Sequence, residues 1–96
     1  MNQPHITVHL DIVGLVQGVG FRHSLQAVAG SLELRGWVRN SGNGHVEAII
    51  QGLEADVEHL IAWCHNGPPN ARVESVQSDL LANSEIFAAF TQRPSG

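Results

Sequence analysis

The N-terminal segment alternates apolar and polar residues, a pattern that predicts a half-buried β-strand over His5–Val13. A glycine-rich segment follows from Gly14 to Gly20. Apolar residues then recur at helical spacing, which predicts a helix from about Phe21 or Arg22 to Glu33 with one apolar stripe. The glycine-rich segment therefore leads directly from a strand into the N-terminus of a helix.

The central part of the chain has the pattern of a hairpin followed by a second helix. Two alternating segments, Leu34–Asn40 and His45–Gln51, flank an Asn43-Gly44 pair typical of a tight turn. The apolar residues of Leu53–His65 again recur at helical spacing, and a Gly-Pro-Pro segment ends that pattern. We expect two paired strands and then a helix.

Two further segments have strand character. One extends from about Ala71 to Leu80, with its alternation broken near Ser75, and a weaker one extends from Ile86 to Gln92. The resulting order, βαββαβ with an extra terminal strand, predicts an α+β fold in one domain, residues 1–96. Its expected architecture is the ferredoxin-like split sandwich, an antiparallel sheet with two helices on one face. We expect the second strand to lie beside the first.

Composition excludes several classes of chemistry. The five formal cations of this chain of 96 residues are all arginines, so neither a Schiff-base lysine nor a P-loop lysine is present. A formal net charge of −4 argues against binding a nucleic-acid backbone. Cys64 is the one cysteine, the start Met1–Pro4 lacks the features of a signal peptide, and no apolar run approaches the about 20 residues that span a bilayer. These features predict a cytoplasmic protein without membrane or nucleic-acid partners.

The glycine-rich segment is a candidate anion site. Glycines allow backbone N–H groups to turn toward an oxyanion, and the N-terminus of the following helix adds a favourable partial charge. Arg22 lies in the first helical turn, where a cation opposes the helix dipole unless an anion compensates it. Asn40 ends the second predicted strand, and we expect both side chains to face one small cavity.

These segments together resemble the acylphosphatase family. The resemblance covers nearly the whole chain and is carried by five motifs: Gly14–Arg22, Gly36-Trp37-Val38-Arg39-Asn40, Gly44-x-Val46-Glu47, Gly67-Pro68 and Ala71-Arg72-Val73. It implies hydrolysis of the carboxyl–phosphate bond of acyl phosphates to carboxylate and inorganic phosphate, with no metal and no cofactor. The chain departs from the family pattern at Leu15, Leu25, Glu33 and Gln92, the last of which interrupts the apolar pattern of the final strand.

The resemblance also implies a role for particular residues. Arg22 matches the arginine that binds phosphate, and Asn40 matches the asparagine that orients water. The phosphate cradle is matched by the backbone amides of one segment: Leu15, Val16, Gln17, Gly18, Val19 and Gly20. The implied partners are a small-molecule acyl phosphate and inorganic phosphate, and we expect a monomer.

The histidines and tryptophans have simpler explanations than a ligand site. His5 and His9 lie about 13 Å apart along a strand, too far to share a metal, and we expect both on the solvated surface. The other histidines lack metal-ligand spacing, and a direct role of His23 beside Arg22 is not expected. Trp37 and Trp63 are expected to be packing residues.

Two alternatives keep the fold but change the function. The first is a module of a carbamoyl-phosphate-using hydrogenase-maturation protein. We take the compact span from Met1 to Gly96 as an argument against it. The second is a non-catalytic anion-binding domain, which would differ from an enzyme only in the geometry of Asn40 and its water. RNA recognition is disfavoured, because the first strand offers no aromatic residue and the net charge is negative.

Overall fold

A computed structural model of the protein describes residues 5–82 and 85–96. The start Met1–Pro4, for which no signal peptide is expected, lies outside the described residues. The elements of the described part are β1 (His5–Leu15), α1 (Phe21–Ser31), β2 (Arg35–Asn40), β3 (Val46–Leu53), α2 (Glu54–Cys64), β4 (Arg72–Leu80) and β5 (Phe90–Gln92). The predicted element order is confirmed, although β5 is shorter than the predicted strand.

The strands form one sheet in the order β4-β1-β3-β2-β5. The first four strands of the chain pair antiparallel, as predicted, and β5 adds to the edge of β2 in parallel orientation, so that the sheet is mixed. The expectation that β2 lies beside β1 is wrong. Both hydrogen-bonding edges of β1 are occupied by β3 and β4, and β3 therefore separates β1 from β2.

The core lies between the sheet and the two helices. The alternating apolar residues of β1 are buried on the same face as those of β3, and the apolar stripes of both helices cover that face. Helix α1 ends two residues before the predicted Glu33. Glu33 adopts a left-handed φ of 56°, and the Leu34 N–H turns back to the Ala29 carbonyl at 2.9 Å.

Strand β4 has a bulge opposite the point where β1 enters the glycine-rich segment. The pairing shifts from Val13 opposite Ser75 to Gly14 opposite Val73, so Glu74 is an extra residue in β4. The break in alternation predicted near Ser75 is thus confirmed. Gly14 has a φ of 137°, and a Cβ there would collide with the Arg72 carbonyl. The close approach of the two strands extends β1 to Leu15, two residues past its predicted end.

The sheet face away from the helices carries charged pairs. Glu47 accepts hydrogen bonds from His9 at 2.6 Å and from Arg39 at 2.7 Å, so His9 is paired and half-buried rather than simply solvated. Burial raises the pKa of Glu47, but the hydrogen bonds from His9 and Arg39 and their charges outweigh it and hold the pKa below its ordinary value. The guanidinium groups of Arg39 and Arg93 lie 5.3 and 4.8 Å from the ring centre of Trp37, which is a packing residue as predicted.

Each of the two helices in the described ranges has 11 residues, and neither has the length and apolar character needed to cross a membrane.

Candidate active site

A small cavity of about 120 Å³ lies where the glycine-rich segment enters α1. It is lined by Val16, Gly18, Gly20, Phe21, Arg22, His23, Asn40 and Gln92. These residues come from three parts of the fold: the segment between β1 and α1 with the first turn of α1, the end of β2, and the end of β5. None of these lining residues is acidic.

Two glycines shape the backbone at the cavity. Gly18 has a φ of 75° and Gly20, the N-cap of α1, has a φ of 80°. Both angles lie in the left-handed region, where a side chain would be strained. The first helical bond of α1 runs from the Ser24 N–H to the Gly20 carbonyl at 3.0 Å. The N–H groups that precede it in the first turn have no acceptor within the helix, and together with the helix dipole they favour an anion.

Arg22 lies half-buried in that first turn. Its guanidinium makes no ion pair and no hydrogen bond within the described residues, whose ion pairs all lie on the opposite face of the sheet. The first turn of α1 contains no acidic residue. A cation at this end of a helix costs a few tenths of a kcal/mol, and about five donor hydrogens are available to a ligand.

Asn40 faces the cavity from the last position of β2. Its Oδ1 atom is buried and has no hydrogen-bond partner among the described residues. An unpaired buried amide oxygen costs about 1–3 kcal/mol, and such groups are rare enough in folded proteins to mark functional sites. The Asn40 carbonyl is by contrast satisfied, because it accepts the Gly96 N–H at 3.1 Å.

Gln17 ties the glycine-rich segment to the turn between β2 and β3. Its Nε2 donates to the carbonyl oxygens of Ser41 and His45, each at 2.9 Å. The imidazole of His45 in turn pairs with Asp11 of β1 at 2.9 Å. The segment that carries the N–H groups is thereby fixed relative to Asn40, although β3 separates their strands.

The structure brings most of the sequence-predicted site residues together. Arg22, Asn40, Val16, Gly18 and Gly20 line the cavity. The other three members of the predicted cradle do not. Leu15 is the last residue of β1 and is 55% exposed, Gln17 serves as the tether, and Val19 packs partly buried against the core.

Two lining residues, Phe21 and Gln92, were missed as site residues, and a third, His23, was placed at the rim with an open role. Phe21 was assigned to the helical stripe alone, but it also lines the cavity, and its buried ring meets Trp63 edge to face at 5.5 Å between ring centres. His23 lines the rim, where no direct role was expected. Gln92 was noted only as a break in an apolar pattern, and that break was a usable signal because it places an amide on the strand face that points inward.

Metal-binding geometry is not found in the described ranges, where no group of three or more His, Cys, Asp or Glu side chains is placed to hold an ion. Cys64 lies in the core, and burial raises the pKa of its thiol to about 12.

Comparison with known proteins decides the family. A family model described as acylphosphatase matches residues 8–92, which include the whole cavity lining. The chain belongs to the acylphosphatase family. Members of this family are enzymes of the hydrolase class, and the chain is 44% identical over 87 residues to an acylphosphatase from Burkholderia cenocepacia, covering 91% of this chain and 89% of the relative.

Solved structures support the same assignment. An acylphosphatase from Coxiella burnetii superposes with a TM-score of 0.89 at 35% identity, covering 93% of both chains. Full-length HypF in its phosphate- and nucleotide-bound form superposes with a TM-score of 0.90 at 26% identity, covering 99% of this chain but only 12% of HypF. The likeness to acylphosphatases spans whole proteins, whereas the likeness to HypF is limited to one domain.

Proposed function

We propose that the protein hydrolyses the carboxyl–phosphate bond of acyl phosphates at this cavity, without a metal. The observation that carries the proposal is the convergence of an unpaired arginine, free helix N–H groups and an unpaired asparagine amide in one cavity lacking acidic residues. A phosphoryl group brings negative charge and many acceptor oxygens, which match this set of donors.

The hydrolysis of an acyl phosphate needs few catalytic groups, which matches this site. The leaving group is a carboxylate whose conjugate acid has a pKa of about 4, so it needs no general acid at neutral pH. Charge gathers on the equatorial oxygens of the transferring phosphoryl group, where the Arg22 fork and the cradle N–H groups can stabilise it. Positioning and charge stabilisation are then sufficient, and no step requires a metal ion.

Asn40 is assigned to the attacking water. The Oδ1 of Asn40 is buried, and a half-turn of the carboxamide exchanges it with the nitrogen without changing the shape of the side chain. After that turn the oxygen can accept an O–H from water in the cavity. The cavity of about 120 Å³ has roughly the volume of four waters. This is space on the scale of a phosphoryl group with its nucleophile, and the acyl group extends outward past His23, which lines the cavity and is exposed.

The test is hydrolysis of benzoyl phosphate at neutral pH in excess EDTA, comparing wild type with Arg22→Gln and Asn40→Ala. One preorganised donor is typically worth about 3 kcal/mol, so each variant should lose at least about two orders of magnitude in kcat/KM. Arg35→Gln is the matched control, because Arg35 is exposed at the opposite end of β2 and should leave turnover unchanged. Active wild type with fully active Arg22→Gln would contradict the assigned roles.

The second candidate is a phosphate-binding module of a larger protein, which the domain-level likeness to HypF favours. The same experiment separates the two functions. A folded wild-type chain that binds inorganic phosphate through Arg22 but does not turn over acyl phosphates would support the module.

Cellular location and assembly are further expectations. We place the protein in the cytoplasm, since the single cysteine excludes an intrachain disulfide and is buried. We also expect a monomer. Cell fractionation and light scattering of the purified chain test these expectations.

A further inference from the structure

We infer that Gln92 is a second catalytic amide, which holds the attacking water together with Asn40. The inference rests on the proposed hydrolysis and assigns a group that the chemistry above leaves unused. Gln92 ends β5 and lines the same cavity as Arg22 and Asn40.

The register of the sheet places Gln92 on the same wall as Asn40. Gln92 pairs with Val38 in parallel β2–β5 pairing, so both side chains point to one face of the sheet. Asn40 lies two residues after Val38 on the same strand and therefore faces the same side. The two amides are neighbours on adjacent strands, opposite the glycine-rich segment that would hold the phosphoryl group.

A second glutamine fixes the orientation of the Gln92 amide. Gln26 lies one turn after Arg22 on the same face of α1, and its Nε2 donates to the Phe90 carbonyl at 3.3 Å. A carbonyl only accepts, so the Oε1 of Gln26 remains as the acceptor for the Nε2 of Gln92 at 2.8 Å. The Oε1 of Gln92 consequently has no donor among the described residues and is available to a ligand.

Two amide oxygens match the needs of an attacking water. Asn40 accepts one O–H and Gln92 accepts the other, which leaves a lone pair of the water oxygen directed at phosphorus. The new P–O bond forms as the bond to the acyl oxygen breaks, and the acyl group leaves as carboxylate. Both water protons stay with the phosphate, so an acyl phosphate dianion and water give carboxylate and dihydrogen phosphate. The step needs no further reactant.

The test measures single-turnover hydrolysis of benzoyl phosphate, with enzyme in excess, in wild type and Gln92→Met. Methionine keeps the length of the side chain and removes its hydrogen bonds. We expect the rate constant to fall about tenfold, as for the loss of one neutral hydrogen bond in the transition state. Inhibition by inorganic phosphate should stay within about twofold of wild type, because Arg22 and the cradle are intact. An unchanged rate constant would overturn the inference.

A double-mutant cycle distinguishes shared water from an independent or structural role. If both amides hold one water, Gln92→Met should cost less than about twofold in an Asn40→Ala background, where that water is already poorly held. A full tenfold loss in that background would refute joint action. Gln26→Met should lower the rate constant when Gln92 is present and have no further effect in Gln92→Met.

Two comparisons keep this outcome separate from failure of the proposed function or of the fold. Thr91 is the exposed neighbour of Gln92, pairs with Trp37 and points to the other face of the sheet. Thr91→Val should therefore leave the rate constant unchanged. Unfolding midpoints of all variants identify any loss of structure. A folded wild type that hydrolyses no acyl phosphate would refute the proposed function, whereas an active wild type with an equally active Gln92→Met refutes only the role of Gln92.

Discussion

Replacing Gln17 by leucine should damage both stability and substrate binding, and the structure gives the size of each effect. The substitution removes two hydrogen bonds from Nε2, to the carbonyls of Ser41 and His45. Those carbonyls keep one backbone donor each, Gly44 at 3.1 Å and Ser41 at 2.8 Å, so no acceptor is left unpaired. Two neutral hydrogen bonds correspond to about 1–3 kcal/mol of unfolding free energy, or about 4–8 °C in Tm for each kcal/mol.

The effect on catalysis comes from release of the cradle. Without Gln17 the N–H groups of the glycine-rich segment are no longer fixed relative to Asn40, and a misplacement of about 1 Å can cost 100-fold in rate. We expect kcat/KM for benzoyl phosphate to fall at least about tenfold, with a parallel weakening of inhibition by inorganic phosphate.

Gln51 offers a matched control at the opposite end of the sheet. Its Nε2 donates to Thr7 Oγ1 at 3.1 Å and to the Glu85 carbonyl at 2.8 Å, and its Oε1 accepts the Phe87 N–H at 3.1 Å. Gln51→Leu should lower the unfolding free energy, measured by urea denaturation, by a similar or larger amount and leave kcat/KM unchanged. If Gln17→Leu loses the same stability but keeps wild-type kcat/KM, the tether does not position the cradle and the reasoning is wrong.

Three further outcomes follow from the fold. Gly36→Ala should abolish or severely weaken folding, because a Cβ at its φ of 128° would collide with the Ile49 carbonyl. Gly30 is exposed on α1 with open space for a Cβ, so Gly30→Ala should raise the unfolding free energy by about 0.5–1 kcal/mol, and thermal denaturation compares the two variants. The Cys64 thiol, whose pKa is raised to about 12, should not react with a thiol reagent at pH 8 until the protein is unfolded, and rapid reaction of the native protein would contradict its burial. The pKa of Glu47 is lowered in the folded state, so its contribution to stability is complete above the unfolded pKa of 4.5 and is lost as the pH falls through the folded pKa. Glu47→Gln should therefore flatten the loss of stability that urea denaturation measures as the pH falls below about 4.5.

The elements could be predicted from the sequence because hydrophobic periodicity reports directly which face of each segment is buried. The glycine-rich segment was predicted as an anion cradle because glycines allow the left-handed φ that Gly18 and Gly20 adopt before α1, and its binding of an anion stays a prediction. Strand adjacency was not predictable in the same way: β2 was expected beside β1, but pairing depends on which edges remain free once β3 and β4 occupy those of β1. Local pattern does not contain that information.

The side-chain contacts of the site could not be predicted from the local sequence pattern either. Gln17 was predicted for its backbone N–H, and its side chain in addition makes a hydrogen bond across 24 residues to the Ser41 carbonyl. Gln92 joins the cavity only because β5 pairs in parallel with β2. Both contacts require the tertiary arrangement, and the sequence showed no more than a polar residue at an unexpected position.

The candidate site leaves the side chains of Arg22 and Asn40 unpaired while other groups restrain the backbone around them. The Asn40 carbonyl is held by the Gly96 N–H at 3.1 Å, and the Gly96 carbonyl in turn accepts the Gly42 N–H at 2.6 Å, so the end of β2 is fixed without use of the Asn40 amide. The start of α1 is fixed by burial of the Phe21 ring, against which a Cβ at Gly67 would press at 2.5 Å. Because the hydrogen bonds that set the geometry come from other groups, Arg22 and the Asn40 amide remain unpaired, and under the proposed roles their desolvation cost is offset only when the phosphoryl group and its water are bound.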